Sequence, residues 1–149
     1  MLLLFAGRCI GAVTLLQMRG SPDARLGAGG ENRVMNLRVV IVDDHARFRE
    51  QASELLQRER FTVVGAAATG VGGLELTRRL SPDFVLLDIG LPDTIGFDLV
   101  PALQASGAAV VLTSSRALRD YGTRVEDSGA EGFISKGELT GDAIRNVLG

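Results

Sequence analysis

Five short, continuous apolar runs, each followed by a longer amphipathic stretch, constrain this chain more than any other feature. The runs are Leu37–Asp43, Phe61–Ala67, Phe84–Asp88, Ala109–Thr113 and Gly132–Ser135. A strand whose residues are apolar without alternation must be covered on both faces, and a parallel sheet flanked by helices supplies that cover. After the first run, Phe48, Ala52, Leu55 and Leu56 fall at i, i+4, i+7 and i+8, one stripe of a helix, with Arg47, Arg49, Glu54 and Arg58 mostly outside it. Further helices are predicted at about Val71–Leu80, Gly96–Ala105, Leu118–Ser128 and Gly141–Leu148. Pro101 requires the third of the five helices to begin close to it, because proline loses no intrahelical bond only in the first turn. Strands and helices in strict alternation make a doubly wound α/β unit.

At 149 residues and 46% apolar content the chain fills one domain of ordinary size. A formal charge of -2 gives no electrostatic reason for nucleic-acid binding, which draws on a basic face. Cys9 is the sole cysteine, so an internal disulfide and a multi-cysteine zinc site are excluded, and a reducing, cytoplasmic compartment is expected.

Residues 1–36 differ in kind from the rest: an apolar run interrupted by Arg8, then a Gly/Pro/Ser/charged stretch. The run is too short and interrupted to span a bilayer, and it lacks the leading positive charge of a signal peptide. The expectation is an extension that is disordered or reflects a start codon called too early, with Met35 as the true start, followed by one domain over residues 37–149.

In an open parallel sheet, reactive groups gather at the carboxyl ends of the strands. Here the first strand ends in Asp43 and Asp44, the third in Asp88, the fourth in Thr113, Ser114 and Ser115, and the fifth in Ser135 and Lys136. Lys136 is the one lysine among sixteen basic residues. Each residue alone has an ordinary structural explanation: Asp44 as a helix cap, Asp88 as a turn residue before Gly90 and Pro92, Thr113 or Ser114 as a cap, Lys136 as a surface charge. Their coincidence at one edge is not explained that way. Two carboxylates about 4 Å apart repel by roughly 4 kcal/mol at the effective dielectric of a protein surface. A hard cation removes that cost: Mg²⁺ takes oxygen ligands from one or two carboxylates and keeps positions open for water or phosphate. One carboxylate is then free to act as a nucleophile toward a phosphoryl group, with the cation and an ammonium stabilising the transferred charge.

These residues carry a resemblance. Val39-Val40-Ile41-Val42-Asp43-Asp44-His45, the segment Val85 to Pro92 with Gly96-Phe97, and the segment Ser128 to Lys136 together resemble the receiver domain of bacterial response regulators, over Leu37 to Leu148. The resemblance implies a flavodoxin-like strand order 2-1-3-4-5. It implies Asp88 as phosphoacceptor, Asp44 as a direct Mg²⁺ ligand with Asp43 assisting, the Gly90 carbonyl as a further ligand, and Lys136 paired with the phosphoryl group. Counting back 22 positions from Lys136, the family's usual interval, reaches Ser114 as the switch hydroxyl, with Thr113 as the alternative. Phe133 matches the switch aromatic, with plain core packing as its other reading. His45 matches a histidine of one receiver subgroup and is expected to serve as a loop or helix-start residue. Gly137 stands where the family usually has proline, so a looser loop without a cis bond is expected.

The resemblance further implies a histidine kinase or phosphotransfer protein as donor and output by protein contact, with phosphorylation-dependent homodimerisation left open. The chain stops one residue after the last helix, so a stand-alone receiver without DNA-binding output is expected. Three rivals share the pattern. A degenerate receiver would bind partners without phosphorylation. A small aspartyl-phosphate phosphatase would want a second aspartate two residues after the nucleophile, where this chain has Gly90. A flavin-phosphate binder would want Ser, Thr and Gly in its first loop, where Asp43-Asp44-His45 repels phosphate.

Overall fold

A computed structural model describes residues 36–149; the extension expected at the N-terminus lies, but for Asn36, outside the described residues. The elements run β1 (Arg38–Val42), α1 (Ala46–Arg58), β2 (Thr62–Ala67), α2 (Gly70–Leu80), β3 (Phe84–Asp88), α3 (Gly96–Ala105), β4 (Ala109–Ser114), α4 (Arg124–Ser128), β5 (Gly132–Ser135) and α5 (Gly141–Leu148). Short 3₁₀ turns precede α4, at Leu118–Tyr121, and follow β5, at Lys136–Glu138.

All five strands are parallel, in the order β2-β1-β3-β4-β5. This is the doubly wound arrangement expected from the alternation, in the 2-1-3-4-5 order that the resemblance implies. The three central strands are the most apolar and the most buried, every residue of β3 included. Period-2 alternation splits their side chains between two cores. On one face Val40, Val42, Val85, Leu87, Val110 and Leu112 pack with Phe97, Val100 and Leu103 of α3 and Val125 of α4. On the other, Val39, Ile41, Phe84, Leu86 and Val111 pack with Ala52 and Leu56 of α1 and Ile144 of α5. The stripe read at Phe48, Ala52, Leu55 and Leu56 is therefore the face that α1 buries.

The expected span of the third helix, Gly96–Ala105, is observed, whereas the placement of Pro101 and the extent of the fourth helix need correction. α3 begins at Gly96, five residues before Pro101, so the proline sits inside the helix and leaves the Phe97 carbonyl without its usual donor. That costs about 3 kcal/mol. Full burial of Val100 and Leu103 and near-complete burial of Phe97, at about 1.5–3 kcal/mol each, outweighs it, and Pro101 itself faces outward. The single fourth helix expected over Leu118–Ser128 is instead a 3₁₀ turn and a short helix, separated at Gly122, whose φ of +59° no helix can accommodate. No cis peptide occurs among the described residues, the Lys136–Gly137 bond included. No helix among them is long and apolar enough to cross a membrane.

Candidate functional site at the carboxyl edge of the sheet

The strand order reverses at β1, so a crevice opens between the carboxyl ends of β1 and β3. Asp43 follows the last residue of β1 and Asp88 is the last residue of β3; both are almost wholly buried. Strand alternation sends both side chains to the α1/α5 side, the side to which Lys136 returns after β5. Lys136 Nζ lies 2.7 Å from Asp43 Oδ2 and 3.7 Å from Asp88 Oδ2. Its ammonium also sits 4.6 Å from the centre of the Phe48 ring, an electrostatically favourable placement over a π face. Lys136 is thus a largely buried, doubly paired cation and not a solvated surface charge.

Asp43, Asp44, His45 and Asp88 place ligand atoms within 4.8 Å of one another. Asp43 Oδ1 accepts from the backbone N–H of His45 at 2.8 Å, which fixes its carboxylate, while Arg49 donates to the Asp43 carbonyl at 2.7 Å. The N-cap position of α1 is His45, so the capping alternative for Asp44 does not hold. His45 is the helix-start residue expected, and its exposed ring also lies 3.1 Å from one oxygen of each carboxylate, Asp43 and Asp44.

Asp88 has its pKa pushed up to about 6. Burial is the largest cause, followed by the charge of Asp43; Lys136 and the Gly90 N–H oppose it, and Asp44 adds to it. Three carboxylates thus face one ammonium, and the deficit falls on Asp88. Two buried side-chain atoms at this edge have no hydrogen-bond partner, Asp43 Oδ2 and Thr113 Oγ1. The first is ion-paired with the Lys136 ammonium at 2.7 Å. Hard carboxylate oxygens and excess negative charge are the chemistry that a divalent cation such as Mg²⁺ satisfies.

The glycine at Gly96 is there for a reason of space. A Cβ on it would stand 2.6 Å from the Asp88 carbonyl oxygen and 2.8 Å from Ile89 Cα, so the start of α3 can lie against the end of β3 only without a side chain. Its N–H donates to the Ile89 carbonyl at 2.8 Å. Gly90 bridges to Ile95 across the same loop.

The two hydroxyl candidates part company. Thr113 pairs in register with Asp88 and is fully buried. Ser114, one residue on, has its Oγ 2.6 Å from Tyr121 Oη and accepts from the Arg116 N–H at 3.0 Å. Phe133 is half-buried on the α3/α4 side, its ring 6.0 Å from that of Tyr121, which in turn meets Phe97 edge-on at 5.6 Å. Sequence reasoning missed Tyr121, Arg49 and the second role of Phe48. Tyr121 lies in a short turn with no period to place it, and Phe48 reads as core alone.

A five-stranded parallel sheet in this order, with an acid cluster and a lysine at its carboxyl edge, defines the flavodoxin-like, CheY-like class of α/β fold. The chain belongs to the response regulator receiver domain family, whose sequence model matches residues 39–147. It is a receiver module of two-component signal transduction. It is 36% identical over 104 residues to a putative transcriptional regulator of Pseudomonas aeruginosa, covering 68% of this chain and 50% of that protein. It is 34% identical over 109 residues to the virulence factors putative positive transcription regulator BvgA of Bordetella pertussis, covering 72% and 52%. The chain therefore spans about half the length of these curated relatives. Among solved structures, the signal receiver domain of the putative response regulator NarL from Mycobacterium tuberculosis matches with a TM-score of 0.67 and 30% identity, over 76% of this chain and 98% of that one. A CheY-like receiver domain protein from Methanospirillum hungatei shares the fold, with a TM-score of 0.64 at 24% identity, over 76% and 90%.

Proposed function

We propose that Asp88 accepts a phosphoryl group from a histidine kinase or phosphotransfer protein, in the cytoplasm, and that this receiver signals by protein contact. The observation that carries the reading is the buried Asp88 carboxylate set 3.7 Å from the Lys136 ammonium and beside the Asp43 carboxylate. An Asp88 oxygen attacks phosphorus, the bond from phosphorus to the donor's imidazole nitrogen breaks, and the imidazole leaves as the neutral ring after taking a proton from solvent. The product is an acyl phosphate on Asp88. Lys136, already between the two acids, follows the charge from carboxylate to phosphoryl oxygen. Held by Asp43, Asp44 and Asp88 with the Gly90 carbonyl, Mg²⁺ would neutralise charge on the phosphoryl oxygens.

Ser114 is the hydroxyl that would report the phosphoryl group, with Thr113 as the alternative, and Phe133 the aromatic that would follow. The contact surface would comprise α4, β5 and α5, engaging a downstream protein or a second copy of the chain. The net charge of -2 and the acidic carboxyl edge argue against direct nucleic-acid binding.

The test is incubation with acetyl phosphate or phosphoramidate and Mg²⁺, read by intact mass. The expected result is one added phosphoryl group, absent in Asp88→Asn and without Mg²⁺. No adduct from either donor overturns the reading in favour of a receiver that binds partners unphosphorylated.

A further inference from the structure

Ser114 has one proton and two lone pairs, and its present partners are the Arg116 N–H and the Tyr121 phenol. Its oxygen accepts from the Arg116 N–H and meets the Tyr121 phenol at 2.6 Å. Tyr121 packs in the core on the α3/α4 side, against Phe97 and Phe133, whereas strand alternation sends Asp88 to the α1/α5 side. A Ser114 oxygen that moves toward a phosphoryl group on Asp88 therefore moves away from the phenol on the opposite face. Phe133 has no hydroxyl with which to hold Ser114; its contact is with the Tyr121 ring. Tyr121 is the last residue of the 3₁₀ turn Leu118–Tyr121 and is followed by Gly122, where the backbone breaks from helical geometry at φ +59°. The turn also carries Leu118, half-exposed.

We propose that Tyr121 is a positioning residue for the switch: in the unphosphorylated protein its phenol holds Ser114 away from Asp88, and phosphorylation breaks that bond and releases the Leu118–Tyr121 turn. The proposal rests on the reading of Asp88 as acceptor and Ser114 as switch hydroxyl. It places the first mobile element of the response in the β4–α4 connection, with Phe133 responding to the Tyr121 ring.

The chain offers a direct probe, since Tyr121 is its only tyrosine and it has no tryptophan. The full chain is titrated with beryllofluoride and Mg²⁺, a mimic of the acyl phosphate, by calorimetry and by tyrosine emission, alongside Tyr121→Phe and Ser114→Ala. Wild-type emission is expected to change as beryllofluoride saturates. Tyr121→Phe keeps the ring and loses the bond, so it is expected to bind beryllofluoride about two- to tenfold more tightly. Ser114→Ala is expected to show altered emission before any addition and little further change on binding. A purely structural role for Tyr121 would lower stability in Tyr121→Phe without tightening binding. Saturation with constant wild-type emission, or Tyr121→Phe binding no tighter, overturns the proposal while leaving the acceptor reading intact. Absence of beryllofluoride binding in every form overturns the acceptor reading and this proposal with it.

Discussion

The ammonium of Lys136 stands an ångström nearer to Asp43 than to Asp88, at 2.7 against 3.7 Å. The lysine is therefore first the counter-ion of the fully buried Asp43 and only second a neighbour of Asp88. Removing it leaves the buried Asp43 carboxylate without its ammonium partner, a loss of about 3–5 kcal/mol for buried pairs generally. Lys136→Met is expected to lower the unfolding free energy, measured by urea titration in a chelating buffer, by an amount of that order. Mg²⁺ should restore more stability to the variant than to the wild type, because the cation takes over the missing charge. Equal Mg²⁺ stabilisation of both proteins would mean that lysine and cation do not share Asp43.

Asp88 makes the opposite contribution. Its folded carboxyl is raised from the ordinary 3.8 to about 6 by burial and by Asp43, so between those values the folded state holds a proton that the unfolded state has lost. Stability thus falls as pH rises through that window, and the full cost, at most about 3 kcal/mol, is present above about pH 6. Asp88→Asn carries no such charge. It is expected to be more stable than wild type at pH 7 without Mg²⁺, and the gain should vanish near pH 4. Thermal midpoints across that range decide it; a gain that persists at pH 4 would point to packing and not to charge.

The strands and the acid–lysine edge were legible because both are written in short-range pattern. Continuous apolar runs mark strands covered on both faces, and a residue just past a run must lie at the sheet's edge, which brings Asp43, Asp88 and Lys136 together without any knowledge of loops. What was not legible depends on contacts with no period. Tyr121 reaches Ser114 across seven residues through a turn that Gly122 ends, and a helical reading of Leu118–Ser128 hides both. Pro101 misleads for a different reason: local propensity argues against its position, and the burial of Phe97, Val100 and Leu103 overrides it. The N-terminus of α2 depends on a residue 23 positions away, since Asp93 accepts from the Gly70 N–H at 2.8 Å while Thr69 caps the Gly72 N–H.

That Asp93 contact supports its own prediction. Its carboxylate also accepts from the Val71 N–H at 3.0 Å, and the two backbone donors hold its pKa below the ordinary value. A lowered carboxyl stabilises above its unfolded pKa and loses that contribution as pH falls through the folded one. Asp93→Ala is expected to lower the thermal midpoint at pH 7, and the difference should shrink as the buffer is taken below the ordinary carboxylate range. A constant difference across pH would assign the effect to loop packing.

The acceptor loop contains two glycines that should respond differently to one added methyl group. At Gly96 a Cβ meets the Asp88 carbonyl oxygen at 2.6 Å and Ile89 Cα at 2.8 Å, both backbone atoms that cannot rotate away. Either α3 or the end of β3 must move. Forced overpacking costs about 1–3 kcal/mol, and a shift of β3 also displaces the Asp88 carboxylate from Lys136. Gly96→Ala is therefore expected to lower both the denaturant midpoint and the rate of phosphoryl uptake, with the loss in rate exceeding what the unfolded fraction explains. At Gly90 nothing lies within 4 Å of a Cβ and φ is not in the left-handed region, so Gly90→Ala should leave the unfolding free energy within about 0.5 kcal/mol of wild type. Urea titrations of the two variants separate a glycine required by close approach from one that is not, and equal midpoints would show that α3 is not seated against the acceptor strand as described.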